Sequence, residues 1–65
     1  MDQEHAEQLA AIMNGETWNS GGDTWLVLKK RADGHIVVFS DEVVAVYSDI
    51  EAVQSGRPVE NIVLV

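Results

Sequence analysis

Few side chains in this 65-residue chain could do chemistry, and their spacing is not that of a catalytic or metal site. His5 has the acidic neighbours Asp2 and Glu4, but it falls in the first turn of a helix rich in solvated carboxylates. It is expected to be an ordinary surface or boundary histidine. His35 directly follows a predicted turn, and its expected neighbours are cationic or apolar, which suits neither base catalysis nor metal binding. The chain has no cysteine, which excludes thiol-based metal sites, and its two histidines lack a third ligand at metal-site spacing. We therefore predict no metal, and we predict no cofactor.

The other candidate groups lack the partners that their chemistry requires. Asp41 and Glu42 are adjacent, so their carboxylates are expected to point apart. Ser40 has no base near it in sequence that could activate its hydroxyl. Gly21 and Gly22 lack the Gly-Lys-Ser/Thr ending and the following helix of a phosphate-binding loop. The sequence therefore predicts that the chain is not an enzyme.

Composition limits the classes of partner. Eleven acidic residues against four basic ones give a net charge of −7, which repels nucleic-acid backbones. The ordinary explanation of this charge is solubility. The acidic start and the lack of an apolar run of about 20 residues argue against a signal peptide and a membrane span. We expect a single domain over residues 1–65, soluble and cytoplasmic, with no nucleic-acid or membrane partner.

The stretch Thr24–Tyr47 predicts three antiparallel strands, around which the rest of the chain must fold. Asp33 and Gly34 are typical of a hairpin turn, and a three-residue loop Ala32–Gly34 is preferred over a two-residue one. That loop pairs the strands so that three residues, Val27, Lys29 and Arg31, face Phe39, Val37 and His35. The opposite side then carries Leu26, Leu28, Ile36 and Val38. Both sides are apolar away from the turn, so each is expected to be covered.

The region before this stretch predicts a helix, a short strand and a loop. Apolar residues at helical spacing indicate a helix over Asp2–Asn14, capped by Asp2 and ended by a left-handed Gly15. Glu16–Trp18 reads as a short edge strand, and Asn19–Asp23 as a loop. If the flanks of that loop pair, Trp18 and Trp25 would be neighbours across the strands.

The region after Phe39 is more ambiguous. Val43–Tyr47 fits either a strand or the start of a longer helix. Ser48 followed three residues later by Glu51 is a capping box, which favours a strand up to Tyr47 and a helix over Asp49–Ser55, terminated by Gly56. Asn61–Val65 is predicted to be a strand, paired inside the sheet or across an interface, and it could run parallel or antiparallel to its neighbour.

Together these elements predict an α+β fold. An N-terminal helix packs on a small antiparallel sheet of about four strands, a meander around the Ala32–Gly34 turn. A short second helix precedes the C-terminal strand. Such a chain buries only about 60% of the surface exposed by its unfolded form, so its stability is expected to be marginal.

Two classes of function remain. The first is a non-catalytic protein–protein interaction module that self-associates, most simply as a dimer, because the apolar surface exceeds what two short helices cover. The second is a small-molecule-binding domain or accessory subunit with a pocket near Trp18 and Trp25. The residues predicted to form the interaction surface are Trp18, Trp25, Lys29, Lys30, Arg31, Ile62 and Leu64. The basic group Lys29–Arg31 would dock on an acidic surface, although a solvated strand end is its ordinary explanation.

Overall fold

The computed structural model describes residues 1–63, and Leu64 therefore lies outside the described residues. Two helices and five strands follow one another in this part of the chain. Their bounds are α1 Gln3–Met13, β1 Glu16–Gly21, β2 Thr24–Lys30, β3 Ile36–Phe39, β4 Val43–Tyr47, α2 Ile50–Ser55 and β5 Glu60–Val63. The strands form one antiparallel sheet in the order β1-β2-β3-β4-β5. The predicted α+β meander is confirmed, with five strands where about four were expected.

Helix α1 begins as predicted and ends differently. The Asp2 carboxylate accepts the backbone N–H of His5 at 2.8 Å, which is the expected cap. The left-handed residue at the other end is Asn14, with φ 57°, so the prediction for Gly15 was wrong. Gly15 is needed for a different reason: a Cβ built on it would lie 2.6 Å from the carbonyl oxygen of Leu28. The chain leaves α1 so close to β2 that a side chain has no room.

The central hairpin has the predicted register. Val27 faces Phe39 and Lys29 faces Val37, and the Arg31 N–H donates to the His35 carbonyl at 2.7 Å. Gly34 has φ 93°, which completes the three-residue loop at a conformation that few other residues adopt. The three-residue loop, preferred over a two-residue one from the sequence, therefore sets the pairing of β2 with β3.

The first hairpin is longer than the sequence indicated. Asn19, Ser20 and Gly21 belong to β1, so the predicted loop Asn19–Asp23 was wrong in its first three residues. The register shifts between Asn19 and Gly21, and Gly21 and Gly22 both have positive φ. Two consecutive glycines allow a tight turn and an irregular last residue pair, Gly21 with Thr24. The pairing of β1 with β2 therefore extends up to the turn.

The end of the chain resolves the alternatives left by the sequence. Val43–Tyr47 is a strand, and β5 runs antiparallel to it. Helix α2 is capped by Asp49, whose carboxylate accepts the Ala52 N–H at 2.8 Å, rather than by Ser48. The cap moves by one residue because both are good capping residues and only Asp49 is followed directly by helical backbone. Gly56 ends the helix with φ 67°, as predicted.

Helix α1 covers only part of one sheet face. It contacts β1 and β2, where Val27 is fully buried against Ala6 and Ala10. On the opposite face the buried residues are Leu28, Val38 and Ala45, which lie in one row across β2, β3 and β4. The first residue of α2, Ile50, lines a hollow with Leu28 on this second face. Within residues 1–63, neither helix has the length and apolarity needed to cross a bilayer.

Candidate protein interaction surface

The two tryptophans do not form a common surface. Trp18 faces Leu26 and Trp25 faces Asn19, so the two indoles occupy successive positions of the β1–β2 ladder. Successive positions point to opposite faces of a sheet. Trp25 packs against the cluster under α1, while Trp18 lies on the other face beside Leu26. The prediction that the indoles are cross-strand neighbours was wrong by one residue of register.

The three consecutive basic residues do not share one face of the sheet, and two of them have partners within the chain. The Arg31 guanidinium binds both carboxylate oxygens of Asp33, with Nε 3.2 Å from Oδ1. This hydrogen bond raises the pKa of Arg31 and, together with the His35 N–H, holds the pKa of Asp33 well below its ordinary value. The Lys29 ammonium donates to the Asn14 carbonyl at 3.2 Å, where it caps the negative end of α1. Lys30 is exposed on the opposite face of β2.

His35 has an acidic neighbour that was not predicted from the sequence. Its Nδ1 lies 3.1 Å from Asp33 Oδ1, so the expectation of only cationic or apolar neighbours was wrong. The same oxygen accepts the backbone N–H of His35 at 3.0 Å. Aspartate in a turn commonly accepts an N–H two residues later, and this signal could have placed the carboxylate beside the ring. The Arg31–Asp33–His35 group braces the hairpin turn.

Ser40 and Asp41 have structural partners. The Ser40 hydroxyl donates to the Val43 carbonyl at 2.9 Å and accepts the Val43 N–H at 3.2 Å, which closes the β3–β4 turn. Asp41 pairs with the N-terminal ammonium of Met1 at 2.9 Å. Among residues 1–63, no three histidine or acidic side chains are grouped as metal ligands.

A surface hollow of about 280 Å³ lies between residues 14–16, which follow α1, and Ile50 at the start of α2, and neither tryptophan lines it. Its lining combines the apolar Leu28, Ile36 and Ile50 with charged groups of Glu16 and Lys30. A pocket shared by Trp18 and Trp25 would require both indoles on one face, which the β1–β2 register prevents.

The outer strand β5 is the most exposed apolar element of the sheet. All four of its residues are exposed, with 48% of Ile62 and 68% of Val63 accessible to solvent. Successive residues alternate between faces, so Ile62 lies on the α1 face and Val63 on the other. β5 pairs with β4 on one side, and within residues 1–63 no strand pairs with its other side.

The backbone groups on this free side can be identified. The Val43 carbonyl accepts the Ser40 N–H, so the backbone of Val43 points toward β3. Orientation alternates along an antiparallel strand, which directs Val44 and Val46 toward β5. The Val46 carbonyl accordingly accepts the Val59 N–H at 2.8 Å. The partners of Val44 and Val46 in β5 are Ile62 and Glu60, and these bond to β4.

It follows that the N–H and C=O groups of Asn61 and Val63 point away from the sheet. Ile62 was predicted from the sequence as an interaction residue, and Asn61 and Val63 were not. Their orientation depends on the register and direction of β5, which the sequence left open.

The two edges of the sheet differ in how they are protected. β1 has an irregular rung at Asn19–Gly21, a polar end and a neighbouring helix, features that discourage pairing with another chain. β5 keeps a regular register over its four residues and carries two exposed apolar side chains. Glu60 is its single charged residue. By the usual criteria of edge protection, β5 is the edge open to another strand.

Comparison of the chain with known protein families, curated proteins and solved structures finds no match in any of the three.

Proposed function

We propose that this chain is a non-catalytic protein–protein interaction module that self-associates, as a dimer, by adding the β5 edge of one copy to that of another. The observation that supports the proposal is the β5 edge itself. It combines outward backbone groups of Asn61 and Val63 with exposed apolar side chains on both faces. Strand addition uses both features, since main-chain hydrogen bonds supply affinity and the alternating side chains supply contact area.

The small size of the chain favours a dimer in which the β5 edge is covered over a monomer in which it stays exposed. A 65-residue domain without cysteine has little core, and oligomerisation is one of the ways in which such domains gain stability. Pairing of four-residue edges buries less than the roughly 1,600 Å² of a standard interface. We therefore expect a dimer that forms in the micromolar range. The cysteine-free composition suits a reducing compartment such as the cytoplasm.

Charge distinguishes edge pairing from docking through the basic residues. Each copy carries a net charge of −7, so two copies repel each other at low ionic strength. Edge pairing uses backbone and apolar groups, and added salt should strengthen it by screening this repulsion. Docking of Lys29 and Lys30 on an acidic surface would instead weaken with salt.

The experiment that tests the proposal is the mass of the native particle from low to high micromolar concentration for wild type, Asn61→Pro and Asn61→Ala. Proline at position 61 removes an N–H that points to the partner, while the β4 ladder bonds belong to Ile62 and Glu60. Asn61→Ala is the matched control, because it removes the same side chain and keeps the N–H.

Wild type and Asn61→Ala should approach twice the chain mass as concentration rises, and Asn61→Pro should remain a folded monomer. Amide shifts from residues 25–28 and 36–39 would report that the variant keeps its sheet. Wild type that stays monomeric at high micromolar concentration, at low and high salt, would overturn self-association. Equal dimerisation of Asn61→Pro would move the interface away from β5.

A further inference from the structure

A row of residues across the α1 face leads from the core to the β5 edge. Val27, Phe39, Val44 and Ile62 are successive cross-strand partners on β2, β3, β4 and β5, so their side chains lie side by side. Val27 is fully buried under α1, while Ile62 is 48% exposed. Since α1 contacts β1 and β2, the row emerges from under the helix and ends uncovered at Ile62.

From this row, and resting on the proposed function, we infer that the β5 strands of two copies pair antiparallel with Ile62 facing Ile62 across the twofold axis. In an antiparallel pair, outward backbone groups must meet outward backbone groups. For β5 these belong to Asn61 and Val63. Three registers satisfy this condition, centred on Asn61, on Ile62 or on Val63.

The register centred on Ile62 gives both Asn61 and Val63 a partner among the described residues. Asn61 of each copy faces Val63 of the other, and each of these two pairs exchanges two N–H to C=O bonds, about four in total. Ile62 meets Ile62 in the non-hydrogen-bonded position, where Cα atoms come within about 4.5 Å and side chains approach most closely. The apolar row then continues from one copy into the next.

The other two registers form fewer favourable contacts between the described residues. Centring on Asn61 places Glu60 directly opposite Ile62, so the carboxylate ends the apolar row. In this register the two Glu60 residues are only two positions apart along the paired strands, a separation of about 7 Å. The register centred on Ile62 separates them by four residues, about 13 Å, which exceeds the Debye length at physiological salt. Centring on Val63 leaves Asn61 and Glu60 without partners among the described residues.

The inferred dimer has a defined shape. Directly opposite residues share a face, so the two α1 helices lie on the same side of one continuous ten-stranded sheet. The twofold axis is perpendicular to that sheet at Ile62.

Single cysteines test the register cleanly because the chain has none of its own. We would prepare Asn61→Cys, Ile62→Cys and Val63→Cys, with Ile12→Cys as the control. Ile12 lies on α1 and is 82% exposed, so it reports random collision between copies. Disulfide formation would be followed in a glutathione redox buffer, with circular dichroism to establish that each variant is folded. Paired strand positions have Cα separations of about 4.5 to 5.5 Å, within the range that a disulfide spans.

The expected result is that Ile62→Cys forms disulfide dimers about ten-fold faster than Ile12→Cys, because the paired edge raises the effective thiol concentration. Asn61→Cys and Val63→Cys alone should match the control, while a mixture of the two should yield the mixed dimer. Fastest dimerisation by Asn61→Cys or by Val63→Cys alone would overturn the register. If no edge variant exceeds Ile12→Cys although wild type is dimeric, the copies meet elsewhere: the register and the β5 interface of the proposed function both fail, and only self-association stands. Monomeric wild type would remove the proposed function as well.

Discussion

At the scale of single residues, Gly15 shows how a position can be required for close approach rather than for backbone conformation. Its φ is not positive, yet an added Cβ would lie 2.6 Å from the Leu28 carbonyl oxygen. That oxygen belongs to the main chain of β2 and cannot rotate away. The chain at the end of α1 therefore lies so close to β2 that position 15 has room for a hydrogen atom but not for a side chain.

Gly15→Ala should lower the free energy of unfolding by about 1–3 kcal/mol, as other overpacking substitutions do. Urea unfolding measures this directly. Gly22→Ala is the control, because its Cβ would meet no atom within 4 Å and its cost comes from the φ of +55° alone. That strain should cost about 1 kcal/mol. A Gly15→Ala protein as stable as wild type would show that the α1–β2 junction can move apart freely.

Asp33 gives stability a specific dependence on acid. The Arg31 hydrogen bond, supported by the His35 N–H, lowers its pKa in the folded chain relative to the ordinary value of 3.8. The unfolded chain therefore takes up this proton first as pH falls. The contribution of Asp33 should be complete above about pH 4 and should be lost progressively below it.

Urea unfolding of wild type and Asp33→Asn at neutral pH and near pH 3 tests this sign. The stability difference between them should shrink in acid, and it should be small throughout because both Arg31 and Asp33 are exposed. In an Arg31→Gln background most of the pH dependence should disappear. A difference that grows in acid would contradict the assignment of the Arg31–Asp33 pair.

At the scale of elements, the sheet is completed at one corner by the first residue. The Trp25 N–H donates to the Met1 carbonyl at 3.0 Å, and the Met1 ammonium donates to the Trp25 carbonyl at 3.3 Å. By the β2–β3 register Trp25 would face residue 41, but β3 ends at Phe39. Met1 takes the position opposite Trp25 that β3 leaves unpaired. Its ammonium lies 2.9 Å from the Asp41 carboxylate, and its side chain is only 3% exposed.

Acetylation of the Met1 nitrogen should therefore lower the free energy of unfolding by about 1 kcal/mol, since it removes a charged hydrogen bond whose partner Asp41 is solvated. A chain of this length can be synthesised in both forms. Asp41→Asn should cost a similar amount in the free-amine chain and almost nothing in the acetylated chain. Independent, additive losses would show that the ammonium and Asp41 do not interact.

The pairing of two strands could be predicted from the sequence where the residues of the connecting turn favour a single loop length, because the loop length determines the register. The Asp33-Gly34 turn permits one favoured loop, so the β2–β3 pairing and the burial of Leu28 and Val38 followed from pattern. Gly21-Gly22 permits several turns, and the single residue of difference reversed the face of one tryptophan. The Met1–Asp41 pair joins residues forty apart in sequence and leaves no local signal.

At the scale of the whole molecule, the two edges of the sheet differ: among residues 1–63, the β1 edge is protected and no strand pairs with the outer side of β5. The β1 side comprises α1, the irregular β1 rung and the two-glycine turn. The β5 side could not be predicted in full, because the direction of β5 decides which backbone groups face outward. The proposed self-association through β5 therefore depends on the assembled sheet and not on any one residue.

Amide hydrogen exchange of wild type as a function of concentration tests the central proposal most directly, because it reads the edge residue by residue. Protection of Asn61 and Val63 should rise together with concentration, whereas Ile62, bonded to β4, should be protected throughout. Exchange of Asn61 and Val63 that stays fast and unchanged up to high micromolar concentration would contradict pairing at β5.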